Sequence, residues 1–523
     1  MKSSVLACLL MLLPVLLPAQ SDSTKIPAGV FERMELYNPW LNSSNPAAHE
    51  YDPPTLQAGR LGLSHDAEAG DYRRVMQGDS LRAYRFSTEK YRRINRTALY
   101  GLFSYERSFE QGSRFSEVEN PYRATPYLLI DTMAQNEVTD REFFSLKGDV
   151  SAPLLPGLYW GLSAGLDVGL ASQDRDPRPA NKLMRLGLSP GLLYKGEALQ
   201  LGVNGLFSYY NEDIEVDIIR KNTQLAFFQL HGFNSYTYHV AASYNRLYKA
   251  GTAGGEGQLN LSFRQLKSLF IGRFLYFREN ADDGRKAGDA TWSFVKNDSK
   301  LEGNKMLLQN LTTLHRPGAM HRLSSSYSLH YMVGAEIMQR LEQVGDLGAV
   351  DWVDYGEEEK YAASLSKLGF DYRFLRFREE YRPLYGLEIG LHFWKQKRAY
   401  YLPDMQEGFR QALVSLAVDR TFLFGENELE LGVHIRWKQN MDSFRDYDER
   451  GFLAQKLLLP EFNYLSCDFF APGFSLRYAR ALEHVFDQIH FSLGGQRYLA
   501  WSALYPGEEY RRAVWTFAAA VMF

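Results

Sequence analysis

The sequence predicts an all-β chain, a transmembrane, antiparallel, up-and-down β-barrel of about 18 strands. Three observations predict it. Apolar residues recur at alternate positions over runs of about 9 to 15 residues, the period of a strand. Past the N-terminus no apolar run approaches the ~20 residues that a membrane-spanning helix needs. The last residue, Phe523, completes an apolar strand face.

Composition narrows the class first. The chain has 523 residues, with 33 Tyr, 33 Phe and 8 Trp, far too aromatic for a solvated, disordered chain. Its 59 basic and 62 acidic residues nearly cancel, so no whole-chain basic field argues for a nucleic-acid partner. Two cysteines exclude a disulfide scaffold.

Residues 1–20, MKSSVLACLLMLLPVLLPAQ, read as a secretory signal peptide: Lys2, then a short apolar centre, then small residues before the polar SDSTK. Cys8 precedes most of the apolar run, the wrong place for lipidation, and cleavage would leave Cys467 alone. Residues 21–53 hold two proline turns, Asn38-Pro39-Trp40 and Asn45-Pro46-Ala47, and little periodicity. They form a coil that either enters the lumen as a plug-like segment or lies flat in the periplasm. Residues 54–523 form the barrel.

The strands carry most of the argument. In 157–171, Leu158, Trp160, Leu162, Leu166, Val168 and Leu170 oppose Gly161, Ser163, Gly165 and Asp167. In 199–209, Leu199, Leu201, Val203, Phe207 and Tyr209 oppose Gln200, Gly202 and Asn204. In 323–337, Leu323, Tyr327, Leu329, Tyr331 and Val333 oppose Ser324, Ser326, Ser328, His330 and Glu336. In 385–393, Tyr385, Leu387, Ile389, Leu391 and Phe393 oppose Glu388 and His392. In 429–438, Leu429, Leu431, Val433, Ile435 and Trp437 oppose Glu430, His434, Arg436 and Lys438. A soluble sandwich strand usually spans about 5–6 residues. A membrane barrel strand needs about 9–11, with lipid outside and a polar lumen inside. The predicted lumen-facing residues are therefore Asp167, His330, Glu336, Glu388, His392, Glu430, His434, Arg436 and Lys438.

Compact connections near Ile94–Arg96, Leu155–Gly157, Lys195–Ala198, Leu266–Ser268, Arg316–Met320, Glu379–Pro383, Gly425–Glu428 and Glu483–Asp487 alternate with long polar stretches. The long stretches lie near 66–80, 109–140, 173–181, 211–250, 279–303, 340–359, 402–408, 439–459 and 502–509. That alternation gives 18 strands, with 16 or 14 as alternatives. The stretch 211–250 has room for extra strand outside the membrane.

The end of the chain, YRRAVWTFAAAVMF, resembles the terminal-strand signal of bacterial outer-membrane proteins, in which a final aromatic is read by the barrel-assembly machinery. Trp515, Phe517, Val521 and Phe523 carry that resemblance. The segments YNPWLNSSNPA, GDYRRVMQGDS, YRFSTEKYRRI and ALYGLFSYERS resemble an uncharacterised outer-membrane β-barrel family (a domain of unknown function) of Bacteroidota, which are Gram-negative. The resemblance implies an outer-membrane location and a setting beside TonB-dependent receptors. It implies no catalytic or binding residues. The NPA turn is also similar to fatty-acid-transporter-type barrels, whose N-terminal segment plugs the lumen.

Chemical motifs point away from enzyme activity. Gly161-Leu162-Ser163-Ala164-Gly165 matches G-x-S-x-G, but that motif works at a sharp strand-to-helix turn, not inside an alternating strand. Glu388/His392 and Glu430/His434 are each four apart, about 13 Å along a strand, so neither is a direct acid–base pair. Stretch 340–359 carries seven carboxylates without the order of a calcium loop. Zinc spacing and a phosphate loop are both missing from the sequence. The expectation is a non-enzyme without catalytic, cofactor or metal residues: a porin- or transporter-like barrel for small solutes, with an accessory part in a TonB-dependent uptake system as one form of that role. The alternatives are a plugged structural barrel whose outer loops dock a receptor or surface lipoprotein, and an outer-membrane enzyme. The expected partners are the lipid bilayer and the assembly machinery, with no nucleic acid.

Overall fold

A computed structural model describes residues 34–51, 59–123, 125–131, 137–173, 178–217, 225–241, 243–287, 291–344, 349–379, 382–482, 486–502 and 504–523. The proposed signal peptide lies outside these residues. The strands in chain order are β1 (Gly59–Gly70), β2 (Ser80–Ile94), β3 (Thr97–Ser113), β4 (Leu129–Asp131), β5 (Glu137–Leu155), β6 (Leu158–Gln173), β7 (Arg178–Lys195), β8 (Leu199–Asp217), β9 (Leu225–Gly232), β10 (Ser235–Ala241), β11 (Ser243–Phe263), β12 (Leu266–Ala287), β13 (Thr291–Arg316), β14 (Ala319–Val344), β15 (Ala349–Glu379), β16 (Arg382–Tyr401), β17 (Asp404–Phe424), β18 (Asn427–Asp446), β19 (Asp468–Ala481), β20 (Gln488–Trp501) and β21 (Glu509–Met522).

Eighteen of these form one antiparallel sheet, and β4, β9 and β10 form a second, three-stranded one. The large sheet closes because β1 pairs with β2 along one edge and with β21 along the other, from Arg60↔Met522 to Gly70↔Arg512. Closure satisfies every strand's ladder, which is what a hydrocarbon surround requires of a β-structure. The alternating sequences decide which face of each strand turns outward. Leu201, Val203 and Phe207 on β8, Leu323 and Tyr331 on β14, and Val433 and Trp437 on β18 are exposed on the outside. Their neighbours Gln200, Asn204, Met332 and Lys438 are buried inside. Val433 is 61% exposed although apolar, the position of a lipid-facing side chain.

Short hairpins mark one end. Pro156-Gly157 and Pro317-Gly318 place glycine at φ 76° and 68°, the left-handed geometry that the second position of a Pro-Gly turn requires. Both the first strand and the last residue lie at this end, where Gly59 and Phe523 exchange backbone hydrogen bonds of 2.7 and 3.0 Å. The opposite end carries the long connections.

Four sequence expectations shift. Leu266–Ser268 belongs to β12, and the turn sits two residues earlier, with Arg264 at φ 52°. Most of 279–303 and 340–359 is strand rather than loop, because β12–β15 run on for 22 to 31 residues. About 10 residues suffice to cross a bilayer, so these hairpins project well beyond it. Two of the acidic residues of 340–359 are charge-paired: Glu357 meets Lys300 of β13 at 3.0 Å, and Glu358 meets Lys360 of its own strand at 3.3 Å. The stretch 402–408 is a tight turn followed directly by β17. The stretch 211–250 does hold extra strands, β9 and β10, in the three-stranded sheet.

Candidate functional site

On the strand faces opposite the exposed apolar side chains, many charges among the described residues are paired with a neighbour. Asp167 on β6 faces Arg185 on β7 at 3.7 Å. Glu388 on β16 faces Arg373 on β15 at 3.8 Å. Glu430 on β18 meets Arg477 on β19 at 2.8 Å. Lys147 and Asp149 meet at 3.1 Å, and Arg85 chelates Glu106. Glu336 is held by Lys360 at 2.9 Å and by the Tyr400 hydroxyl at 2.5 Å. His392 Nε2 reaches Asp371 of the neighbouring strand at 3.0 Å. His330 packs edge-on to Phe277 at 5.4 Å between ring centres. His434 lies over Gly473, and Arg436 sits beside Ser415 in the register. Lys438 is buried and donates to the Leu465 carbonyl at 2.8 Å. The three histidines stay on separate strands, so the structure does not gather them into one centre.

The N-terminal segment 34–51 packs against this wall at the short-turn end. Both proline turns are organised by asparagine: Asn38 Oδ1 accepts from the Trp40 N–H at 3.1 Å, and Asn45 Oδ1 from the Ala47 N–H at 3.0 Å. Trp40, Ala47 and Ala48 bury against Leu193, Leu269, Ile271 and Leu311 on the inner faces of β7, β12 and β13. Leu36 packs on Met320 and Leu375, and Met34 on Met522. The polar contacts are as specific. Ser44 donates its backbone N–H to Glu256 Oε1 at 2.7 Å and its hydroxyl to Oε2 at 3.2 Å. Arg273 donates to the same Oε2 at 2.6 Å. Asn45 Nδ2 donates to the Leu192 carbonyl at 2.9 Å, and Trp40 Nε1 to Gln200 at 3.0 Å. Two wall glycines make room for the turn. A Cβ on Gly161 would strike the backbone of Pro46 and Ala47, and one on Gly191 the Asn45 carboxamide. The first glycine of the apparent G-x-S-x-G motif is thus a notch for another segment.

The long-connection end is covered from inside and above. Residues 114–123 and 125–131, the β4–β9–β10 sheet and the helical stretch Ala454–Ser466 share a core of Phe115, Val118, Leu129, Ile130, Phe227 and Leu457 with Ile214 and Tyr248 of the wall. Arg123 is driven into this contact. It lies 3.4 Å from both Glu212 and Glu279, with its guanidinium 3.8 Å above the Tyr248 ring. Burial works against its charge, but Glu279 and Glu212 outweigh it and hold the guanidinium firmly cationic. Glu119 is the counterpart: burial, reinforced by Glu212, pushes its carboxyl up to about 7 against the pull of Arg141, Arg123 and Arg185.

With this geometry in place, comparison with known proteins adds one decisive finding. A family of unknown function, DUF6850, matches residues 46–519. The chain belongs to that family. The DUF6850 match begins within the second proline turn, at Pro46, and runs to two strand positions beyond Phe517. No curated protein matches this DUF6850 chain. Among solved structures it is similar to the ferric preacinetobactin receptor BauA of Acinetobacter baumannii, with 10% identity, 89% of this chain and 80% of that chain covered, and a TM-score of 0.40. It is also similar to the copper transporter OprC, with 9% identity, coverage of 89% and 81%, and a TM-score of 0.35. The ferric citrate transporter FecA in its unliganded form gives 7% identity, coverage of 90% and 79%, and a TM-score of 0.38. These likenesses carry no residue correspondence, and the barrel assignment of this DUF6850 member rests on its own closed register.

Several residues of the two closures were invisible to sequence reasoning. Glu256, Arg273, Gln258 and Asn204 meet the 34–51 segment from three strands, and Arg123 sits in a connection without periodicity. The Asn-Pro turns were the available signal: a capped turn in an otherwise polar segment has to dock somewhere.

Proposed function

We propose that this DUF6850 chain is an outer-membrane barrel that admits small solutes, with residues 34–51 as a luminal plug and the long connections as an outer cap. The observation that carries the reading is the fitted seat of the 45–47 turn, where two wall glycines and the Glu256–Arg273 pair receive Asn45, Ser44 and Pro46. The segment is a short, non-covalent insert seated by two glycine notches, a few polar contacts and small apolar clusters, an arrangement suited to leave and return. The paired wall charges suit the passage of polar solutes without strong ion selection. The closed barrel with its apolar exterior supports the outer-membrane location. In this reading residues 1–20 are removed on export, Phe523 is read by the assembly machinery, and an active TonB-dependent receptor of a Bacteroidota cell is the natural neighbour.

The reading is non-enzymatic. His392 turns Nε2 toward Asp371, the reverse of a serine triad, in which Nε2 must face the hydroxyl. A second reading, docking of a receptor or lipoprotein, is favoured by Tyr236 and Tyr238, which stand exposed on the outer β10 edge beside Phe228. Planar-bilayer recordings test the first reading. The intact chain should conduct in brief openings, and Gly161→Val, which evicts the turn from its notch, should lengthen them. A barrel that stays silent with Gly161→Val counts against solute passage and leaves the docking reading.

A further inference from the structure

Beneath the cap, against the inner faces of β2, β3, β5, β6 and β7, lies a cavity of about 360 Å³. That is within the size range that takes a small ligand. Its lining combines Ser108, Glu110, Thr139, Arg141 and Asn181 of the wall with Tyr122 of the cap. The charges there are already neutralised by one another. Arg141 meets Glu110 at 2.6 Å and stands 3.9 Å from Glu119; Arg74 is bound to Glu461, and Arg85 to Glu106. The groups left to meet a ligand are neutral. Asn181 is 4% exposed; its Nδ2 donates to the Glu117 carbonyl at 3.0 Å, while its buried Oδ1 has no hydrogen-bond partner among the described residues. A buried acceptor without a donor is costly unless a ligand supplies one. On the same wall the Phe143 ring lies across Gly169, where a Cβ would strike it, and offers an apolar surface beside these hydroxyls and amides.

From this we infer that the cavity binds an uncharged, hydroxyl-rich solute of mono- to disaccharide size, with a hydroxyl donating to Asn181 Oδ1 and a C–H face against Phe143. An anion would find both guanidiniums engaged; a cation would find the Glu110 and Glu106 carboxylates engaged and Glu119 within 3.9 Å of Arg141. The inference deepens the solute-passage reading by naming the substrate class, and its test is kept separate from transport.

Isothermal titration of the purified full-length barrel in detergent measures binding alone, using D-glucose, D-galactose, maltose and sucrose, with phosphate, citrate and putrescine as charged probes. The expected result is a millimolar or tighter Kd for at least one saccharide and none for the charged probes. Asn181→Ala should weaken that binding roughly tenfold or more, and Ser108→Phe, which fills the cavity from another strand, should abolish it. Two variants from different strands guard against a local folding defect. The inference is overturned if no saccharide binds, if a charged probe binds in its place, or if both variants bind like the parent. Saccharide binding without liposome uptake would uphold the site and overturn solute passage instead.

Discussion

Ser44 and Glu256, 212 positions apart, are joined by two hydrogen bonds to the two oxygens of one carboxylate, which is itself fully buried and charge-paired with Arg273. The contact ties the N-terminal segment to the middle of the barrel wall. Removing the carboxylate would strand the Arg273 guanidinium and two Ser44 donors. Losing one member of a fully buried pair typically costs about 3–5 kcal/mol; the loss here is smaller, because the Arg273 side chain is 28% exposed. Glu256→Ala should therefore release the segment, seen as faster protease cleavage within 34–51 and longer bilayer openings. Unchanged cleavage and conductance would show that the carboxylate does not hold it.

Arg123 plays the same part at the other end. Arg123→Met leaves Glu212 and Glu279 facing each other's charge in a buried site, a loss of about 3–5 kcal/mol. The cap should loosen before the barrel does. Limited proteolysis should cut 114–131 early, while the heat-modifiable gel shift of the folded barrel persists. Equal resistance in parent and variant would contradict this.

Glu119 makes the cap's stability depend on pH. Burial and Glu212 raise its carboxyl to about 7 in the folded protein, from the ordinary glutamate range near 4.5. The folded state thus binds the proton more tightly, so its stabilising contribution is full below about 4.5 and is lost as pH rises through about 7. Resistance of the cap to proteolysis by a protease of flat pH response should fall across that window, and Glu119→Gln should flatten the fall. A parent profile already flat would refute the assignment.

The two faces of a strand should respond differently to charge. Val433→Arg places a cation on the lipid side, a loss of up to about 2–4 kcal/mol near the bilayer centre, and should lower the yield of heat-modifiable barrel. His434→Ala, one residue on and inward, should leave the yield unchanged. Equal effects would mean that the faces are not lipid and lumen.

Most of the fold was legible because a barrel strand writes its two surroundings directly into alternate residues, as in 199–209 and 429–438. The outer hairpins were not, because polar residues such as those of 340–359 read as loop when they are strand standing beyond the bilayer, with no apolar side to reveal them. The wall positions Asp167, Glu388 and His392 could be placed on a face from period alone. Their partners Arg185, Arg373 and Asp371 could not, since register between strands is set by turns whose position slipped by two residues even at Leu266. The contacts of Ser44, Asn45 and Arg123 depend on pairings between distant segments, which no local period encodes.

If the barrel spans the membrane as proposed, odd positions around Val433 face lipid and even ones face the lumen. Site-directed spin labelling at 431 to 437, one position at a time in reconstituted bilayers, measures this most directly, with buried Cys467 replaced by serine. Labels at 431, 433, 435 and 437 should be accessible to oxygen, and those at 432, 434 and 436 to a water-soluble nickel chelate. Accessibility without a two-residue period, or with the two faces exchanged, would contradict the account.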